Sequence, residues 1–160
     1  MKQVKRILDK ILGGICVLLF ASLTCTVFWQ VISRYALKKP SAITEELAKI
    51  IFVWMVLIAA AFLFGEVGGH MNIGIIEEKA GPKRKDLLNL ISQIVIFIFA
   101  LFVLVLGGSK AVINGLMQSN AAISSITTGQ IYMALPICGV FTIFYTLYYI
   151  VEDVRNLVKR

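Results

Sequence analysis

Four long runs of apolar residues alternate along the chain with short polar, charged segments. The first run occupies residues 11–33 and contains no charged side chain. As a helix its 23 positions reach about 35 Å, enough for the roughly 30 Å of bilayer hydrocarbon. It is also longer than the core of a secretory signal, roughly 7–15 residues. Ser22, Leu23, Thr24 and Cys25 resemble a lipoprotein cleavage box only loosely, because Thr24 fits poorly and the apolar run continues past it. The pattern therefore predicts an uncleaved spanning helix. Ahead of it, Val4, Ile7, Leu8, Ile11 and Leu12 recur at helical spacing beside Lys2, Lys5, Arg6 and Lys10. That predicts a short N-terminal amphipathic segment lying at the membrane surface before the first span.

The second span is predicted over 44–68, with an uncharged centre at 50–65. Pro40 precedes it, Ser41 or Thr44 can cap it, and Glu45 and Glu46 sit in its first turn, where the helix dipole favours anions. Gly68 and Gly69 end it. The third span covers 87–109; Lys110 follows, and the helix can run on beyond it. A polar, almost uncharged stretch at 114–130 leads to the fourth span, 131–151. Pro136 lies about one turn inside that span, which predicts a kink or a late helix start. The reading is an all-α membrane protein: one four-helix domain over 1–160, without internal repeats and without a loop long enough for a soluble domain.

Composition agrees. Hydrophobic residues make up 59% of the chain, against about 45–50% in soluble domains. The formal net charge of +7 does not point to nucleic acid, because the basic residues flank the spans, where they face lipid. Lys2, Lys5, Arg6, Lys10, Lys79, Lys83, Arg84, Lys85, Arg155, Lys159 and Arg160 fall on one side of a four-span topology. Arg34, Lys38, Lys39, Lys49 and Lys110 fall on the other. The side with eleven is expected to be cytoplasmic, with both termini inside.

Candidate chemistry is sparse. Cys16, Cys25 and Cys138 all lie in apolar runs and form no C-x-x-C pair, so they read as packing residues. The single histidine, His70, rules out a bis-histidine haem within the chain. No metal and no cofactor is expected. Nor does any ionisable residue lie at mid-depth, as a self-sufficient transporter or pump requires. The polar residues there are Ser22, Thr24, Thr26, Ser92, Gln93, Thr142 and Thr146, with Gln93 near one end of its span.

Arg34, Glu45 and Glu46 are the sharpest polar group. They read either as an ion-pair network facing a partner or as helix-dipole compensation at the headgroups. Glu66 and His70, four apart, read as a local cap or interface contact before a proton relay. Ala61, Gly65 and Gly69 recur every fourth residue, as do Gly107, Ala111, Gly115 and Ser119; such spacing lets helices approach closely, within the chain or against another protein. Trp29 fits an interfacial belt, whereas Trp54 lies deeper, where it packs on another helix.

Several of these residues carry a resemblance. Arg34 and Tyr35, then Thr44, Glu45, Glu46, Leu47 and Ala48, then Trp54, resemble the signature of the small membrane subunit of tripartite ATP-independent periplasmic (TRAP) transporters, the DctQ type. Gly69, His70, Met71, Asn72 and Ile73 are similar to its Gly-His segment, and 124–136, leading into Ile137, to its approach to the fourth helix. Ile43 departs from the pattern, standing where the family often has Trp. The resemblance implies a bacterial inner-membrane, multi-pass protein and a role in sodium-driven import of organic acids, sialic acid or dicarboxylates among them. It implies two partners, a large permease subunit that carries the substrate and sodium sites and a periplasmic substrate-binding protein. This chain would then be a non-catalytic brace. Its expected partner interface is Arg34, Glu45, Glu46, Trp54, Ala61, Gly65, Gly69 and His70, with Gln118, Asn120 and Ser125 docking the binding protein. The competing readings are an independent oligomeric four-helix channel or exporter, and a membrane enzyme, for which no catalytic cluster is visible.

Overall fold

A computed structural model describes residues 2–39, 41–66 and 82–158. Its elements are α1 (Lys2–Tyr35), α2 (Ala42–Glu66), α3 (Pro82–Phe99), a π-helical stretch (Ala100–Gly107), α4 (Gly108–Gly115), α5 (Thr128–Tyr132) and α6 (Ala134–Val158). Four helical runs are long and apolar enough to cross a membrane: Gln3–Tyr35, Ala42–Gly65, Asn89–Gly115 and Thr128–Arg155.

The amphipathic N-terminus is not a separate surface element. It forms the first turns of α1, continuous with the span. Leu12 is fully buried and Leu8 packs against the same core, while Lys5 and Asp9 pair across one turn at 2.9 Å. The two leucines hold the segment to the other helices. At the far end Ser33 donates to the Lys39 carbonyl at 2.6 Å, and Lys38 takes a left-handed conformation, φ 51°. The chain thereby reverses into α2. The Ser41 carbonyl accepts from the Glu45 amide (3.3 Å) and from the Thr44 hydroxyl (2.9 Å), which sets the start of that helix.

The third run extends past Lys110 to Gly115. Its π-helical stretch shifts the register of α4 relative to α3, since each amide in the stretch bonds one residue further back than in an α-helix. Of the predicted stripe that starts at Gly107, Gly115 is buried and packs on Gly129. Gly107 is exposed, and Gly108 packs against Leu135 and Pro136. The fourth run is broken where proline implied. A capping box between Thr127 and Gln130 opens α5, the helix interrupts at Met133, and α6 begins at Ala134. Pro136 has no N–H to give the Tyr132 carbonyl, and its ring crowds that oxygen, so the turn before it cannot stay regular.

The helices pack in the order α1, α2, α6, α3, with the π stretch also against α6. The core lies along α6 and comprises Leu12, Ile58, Phe64, Tyr145 and Tyr149. In the most apolar stretch of each span, 39% of residues are buried for the run containing α6, against 6% for α1 and 11% for the α3 run. The two flanking helices therefore turn most of their apolar surface outward.

Candidate partner interface

The C-terminal end of α1, the N-terminal end of α2 and the loop between α4 and α5 form one polar edge. Gln30, Arg34, Ser41, Ala42 and Glu45 line a cleft of about 290 Å³ there. Arg34 borders the cleft but makes no ion pair among the described residues; Glu45 and Glu46 both pair instead with Lys49, at 3.4 Å each. Lys49 stands four and three residues along the same helix, so it reaches both carboxylates without ordering any other element. The three-residue network expected of Arg34, Glu45 and Glu46 is therefore two separate features: a glutamate–lysine cluster on α2, and an arginine at the end of α1 with no acidic partner among the described residues.

Glu46 has a second partner, from a distant part of the chain. Asn120 Nδ2 donates to Glu46 Oε1 at 2.8 Å. The asparagine is itself held, because its Oδ1 accepts from the amides of Ala122 (2.9 Å) and Ile123 (3.2 Å). The loop closes on backbone bonds from Asn120 to Ile126 (2.9 Å) and from Thr128 to Gln118 (2.8 Å). Gln118 and Ser125 are exposed on it. The sequence placed Glu46 and Asn120 in two unrelated regions; the fold joins them.

Other expected interface residues are occupied within the chain. Ala61 is 1% exposed. Gly65 lies so close under the Tyr145 ring that a Cβ there would meet it at 2.5 Å, and its carbonyl accepts from the Tyr149 hydroxyl. Trp54 packs half-buried against the core. Ala61 and Gly65 are thus taken up by packing within the chain, one of the two uses their spacing allows, with Tyr145 of α6 filling the space at Gly65. Gly69 and His70 lie outside the described residues, so the Glu66–His70 pair is not placed.

Sequence reasoning missed the opposite end of the bundle. Asp9 accepts from Lys5 at 2.9 Å and from the Tyr145 hydroxyl at 2.6 Å, which ties the first and last helices together. The available signal was an acid four residues after Lys5 in an apolar turn, with Tyr145 and Tyr149 four apart on α6. Gln93 stands apart from the other polar residues of the spans. It is fully buried, and neither atom of its amide finds a partner among the described residues. The hydroxyls differ: Thr24, Thr26, Thr142 and Thr146 each bond the carbonyl four residues back, at 2.7–2.9 Å. Among the described residues no group of three His, Cys, Asp or Glu could hold a metal.

The chain has relatives among known proteins. The profile of the family described as "Tripartite ATP-independent periplasmic transporters, DctQ component" matches residues 23–156. The sialic acid TRAP transporter small permease protein SiaQ of Vibrio cholerae is 31% identical over 163 aligned positions, covering 99% of this chain and 88% of that protein. A putative TRAP transporter small permease protein of Haemophilus influenzae is 26% identical over 140, covering 88% and 85%. With the profile spanning most of the chain and four helices able to cross the inner membrane, this protein belongs to the DctQ family of small TRAP transporter subunits.

Proposed function

We propose that the chain braces the large permease subunit of a sodium-driven importer of organic acids and helps seat its periplasmic substrate-binding protein, taking no chemical step itself. The distribution of charge carries this reading. Residues 11–33, 50–65, 90–109 and 128–151 contain no Asp, Glu, Lys, Arg or His, so the spans offer no ionisable coupling site at mid-depth. The uncovered apolar flanks of α1 and α3 support a role built on surface. A carboxylated sugar such as sialic acid is the favoured substrate, by similarity to the Vibrio cholerae relative. In this reading Arg34, Glu45 and Glu46 meet the large subunit, and the ordered loop bearing Gln118 and Ser125 meets the binding protein.

The test is reconstitution into liposomes under an inward sodium gradient, with the binding protein outside. The chain alone gives no uptake; with the large subunit, labelled sialic acid enters. Replacing Glu45 and Glu46 together by Gln weakens co-purification with the large subunit, whereas Gln118→Ala with Ser125→Ala spares assembly and lowers uptake. Sodium-dependent uptake by the chain alone would sink the bracing role and favour an independent oligomeric channel or exporter. Full assembly by the double glutamine variant would reduce the glutamates to helix-dipole partners.

A further inference from the structure

The N-terminal end of α1 and the C-terminal part of α6 enclose a second cleft, of about 410 Å³, lined by Lys5, Arg6, Asp9, Tyr148, Tyr149 and Glu152. Its floor is internally satisfied. Lys5 pairs with Asp9, Tyr145 donates to Asp9, and Tyr149 donates to the Gly65 carbonyl. Two charges remain. Arg6 and Glu152 are both exposed, and neither makes an ion pair among the described residues. A free cation and a free anion on one cleft suit a zwitterion better than an anion.

Depth says which zwitterion. The uncharged run at 11–33 begins two residues after Asp9, and Glu152 directly follows the uncharged run that ends at 151. The cleft thus sits where hydrocarbon gives way to headgroups. Helical spacing puts Val17 and Phe20, three and four turns further along, on the side of α1 that carries Arg6. They are 70% and 63% exposed, an apolar track running from the cleft toward the membrane interior.

We propose that this cleft binds the headgroup of phosphatidylethanolamine. The Arg6 guanidinium takes the phosphate, a planar fork against two oxygens. The Glu152 carboxylate accepts from the lipid ammonium, and one acyl chain runs along Val17 and Phe20. Phosphatidylglycerol would leave Glu152 facing an anionic lipid. Phosphatidylcholine carries the same charges, but its quaternary nitrogen has no N–H to donate.

Native mass spectrometry of the purified chain, released from nanodiscs holding equal amounts of the three lipids, tests the site. One phosphatidylethanolamine stays bound per chain, in preference to the other two. Arg6→Gln and Glu152→Gln each lower its retention about tenfold, the loss of one charge-assisted hydrogen bond. Circular dichroism melts stay at the parental temperature, because both side chains are on the rim. Preferential retention of phosphatidylglycerol, equal retention of phosphatidylcholine, or undiminished retention in either variant overturns the proposal. The lipid preference of the parent chain decides the matter even if a variant fails to fold.

Discussion

Asp9 shows how much one side chain settles in this fold. Its two oxygens are taken by different elements, Lys5 one turn away on α1 and Tyr145 on α6, 136 residues along the chain. A part-buried carboxylate is tolerated there because both its acceptors are filled and a cation is adjacent. Removing it takes a carboxylate partner from the Lys5 ammonium and from the buried Tyr145 hydroxyl. Asp9→Ala should therefore destabilise the protein by about 2 kcal/mol, the usual worth of a hydrogen bond to a charged group. Thermal unfolding in detergent measures this, and Asp9→Asn, which keeps the Tyr145 contact, should lose less. A melt of Asp9→Ala matching the parent would show that the contact contributes nothing. Gln93 is the opposite case, buried with no partner found among the described residues. Nothing in its described surroundings accounts for it.

At the scale of elements, the loop between α4 and α5 owes its shape to two glycines. A Cβ on Gly129 would lie 2.6 Å from the Val112 carbonyl oxygen and 2.7 Å from the Leu116 amide nitrogen. Those are backbone atoms, which cannot turn away as a side chain can. A Cβ on Gly115 would likewise stand 2.6 Å from the Gly129 nitrogen. The pair lets α4 and α5 touch, and the Ser119–Thr127 bridge closes just above them. Gly129→Ala must push the helices apart, at a cost of about 1–3 kcal/mol for overpacking. The expected signature is local: faster hydrogen exchange at the Asn120 and Thr128 amides, with the core of α6 unchanged. Uniform acceleration across the chain would mean that the loop is not an independent unit. The π stretch belongs to this scale too. It packs against Gly139 of α6, where a Cβ would stand 2.8 Å from Leu104 and Val105, so the wider turn and the missing side chain go together.

For the whole molecule, the row of helices leaves α1 and α3 as flanks with outward apolar faces, and the polar residues gather at the two ends. The basic residues set the expected orientation. With the termini and the segment containing Lys83, Arg84 and Lys85 inside, the loop bearing Ser125 faces the periplasm. In a variant lacking the native cysteines, Ser125→Cys should react with an impermeant thiol reagent in intact cells. Gly81→Cys should react only after permeabilisation. The reverse pattern would invert the topology and place the Asn120–Glu46 edge in the cytoplasm, out of reach of any periplasmic protein.

The number and placement of the spans were legible in the sequence because insertion into hydrocarbon is penalised residue by residue. A run free of charges announces itself whatever it later packs against. Glu45 and Glu46 at a helix start, and the proline that breaks the fourth run, are likewise local chemistry. Which side of each helix meets which neighbour was not legible. A helix that is apolar all round has no polar stripe to say how it is rotated about its axis. That rotation was decided by steric fit, by Gly65 under Tyr145 and Gly108 against Pro136, and by the register change across the π stretch. Only with the helices so turned could Asp9 reach Tyr145, and Glu46 reach an asparagine 74 residues away. Those pairings are contacts between chain-distant side chains, and no spacing along the sequence encodes them.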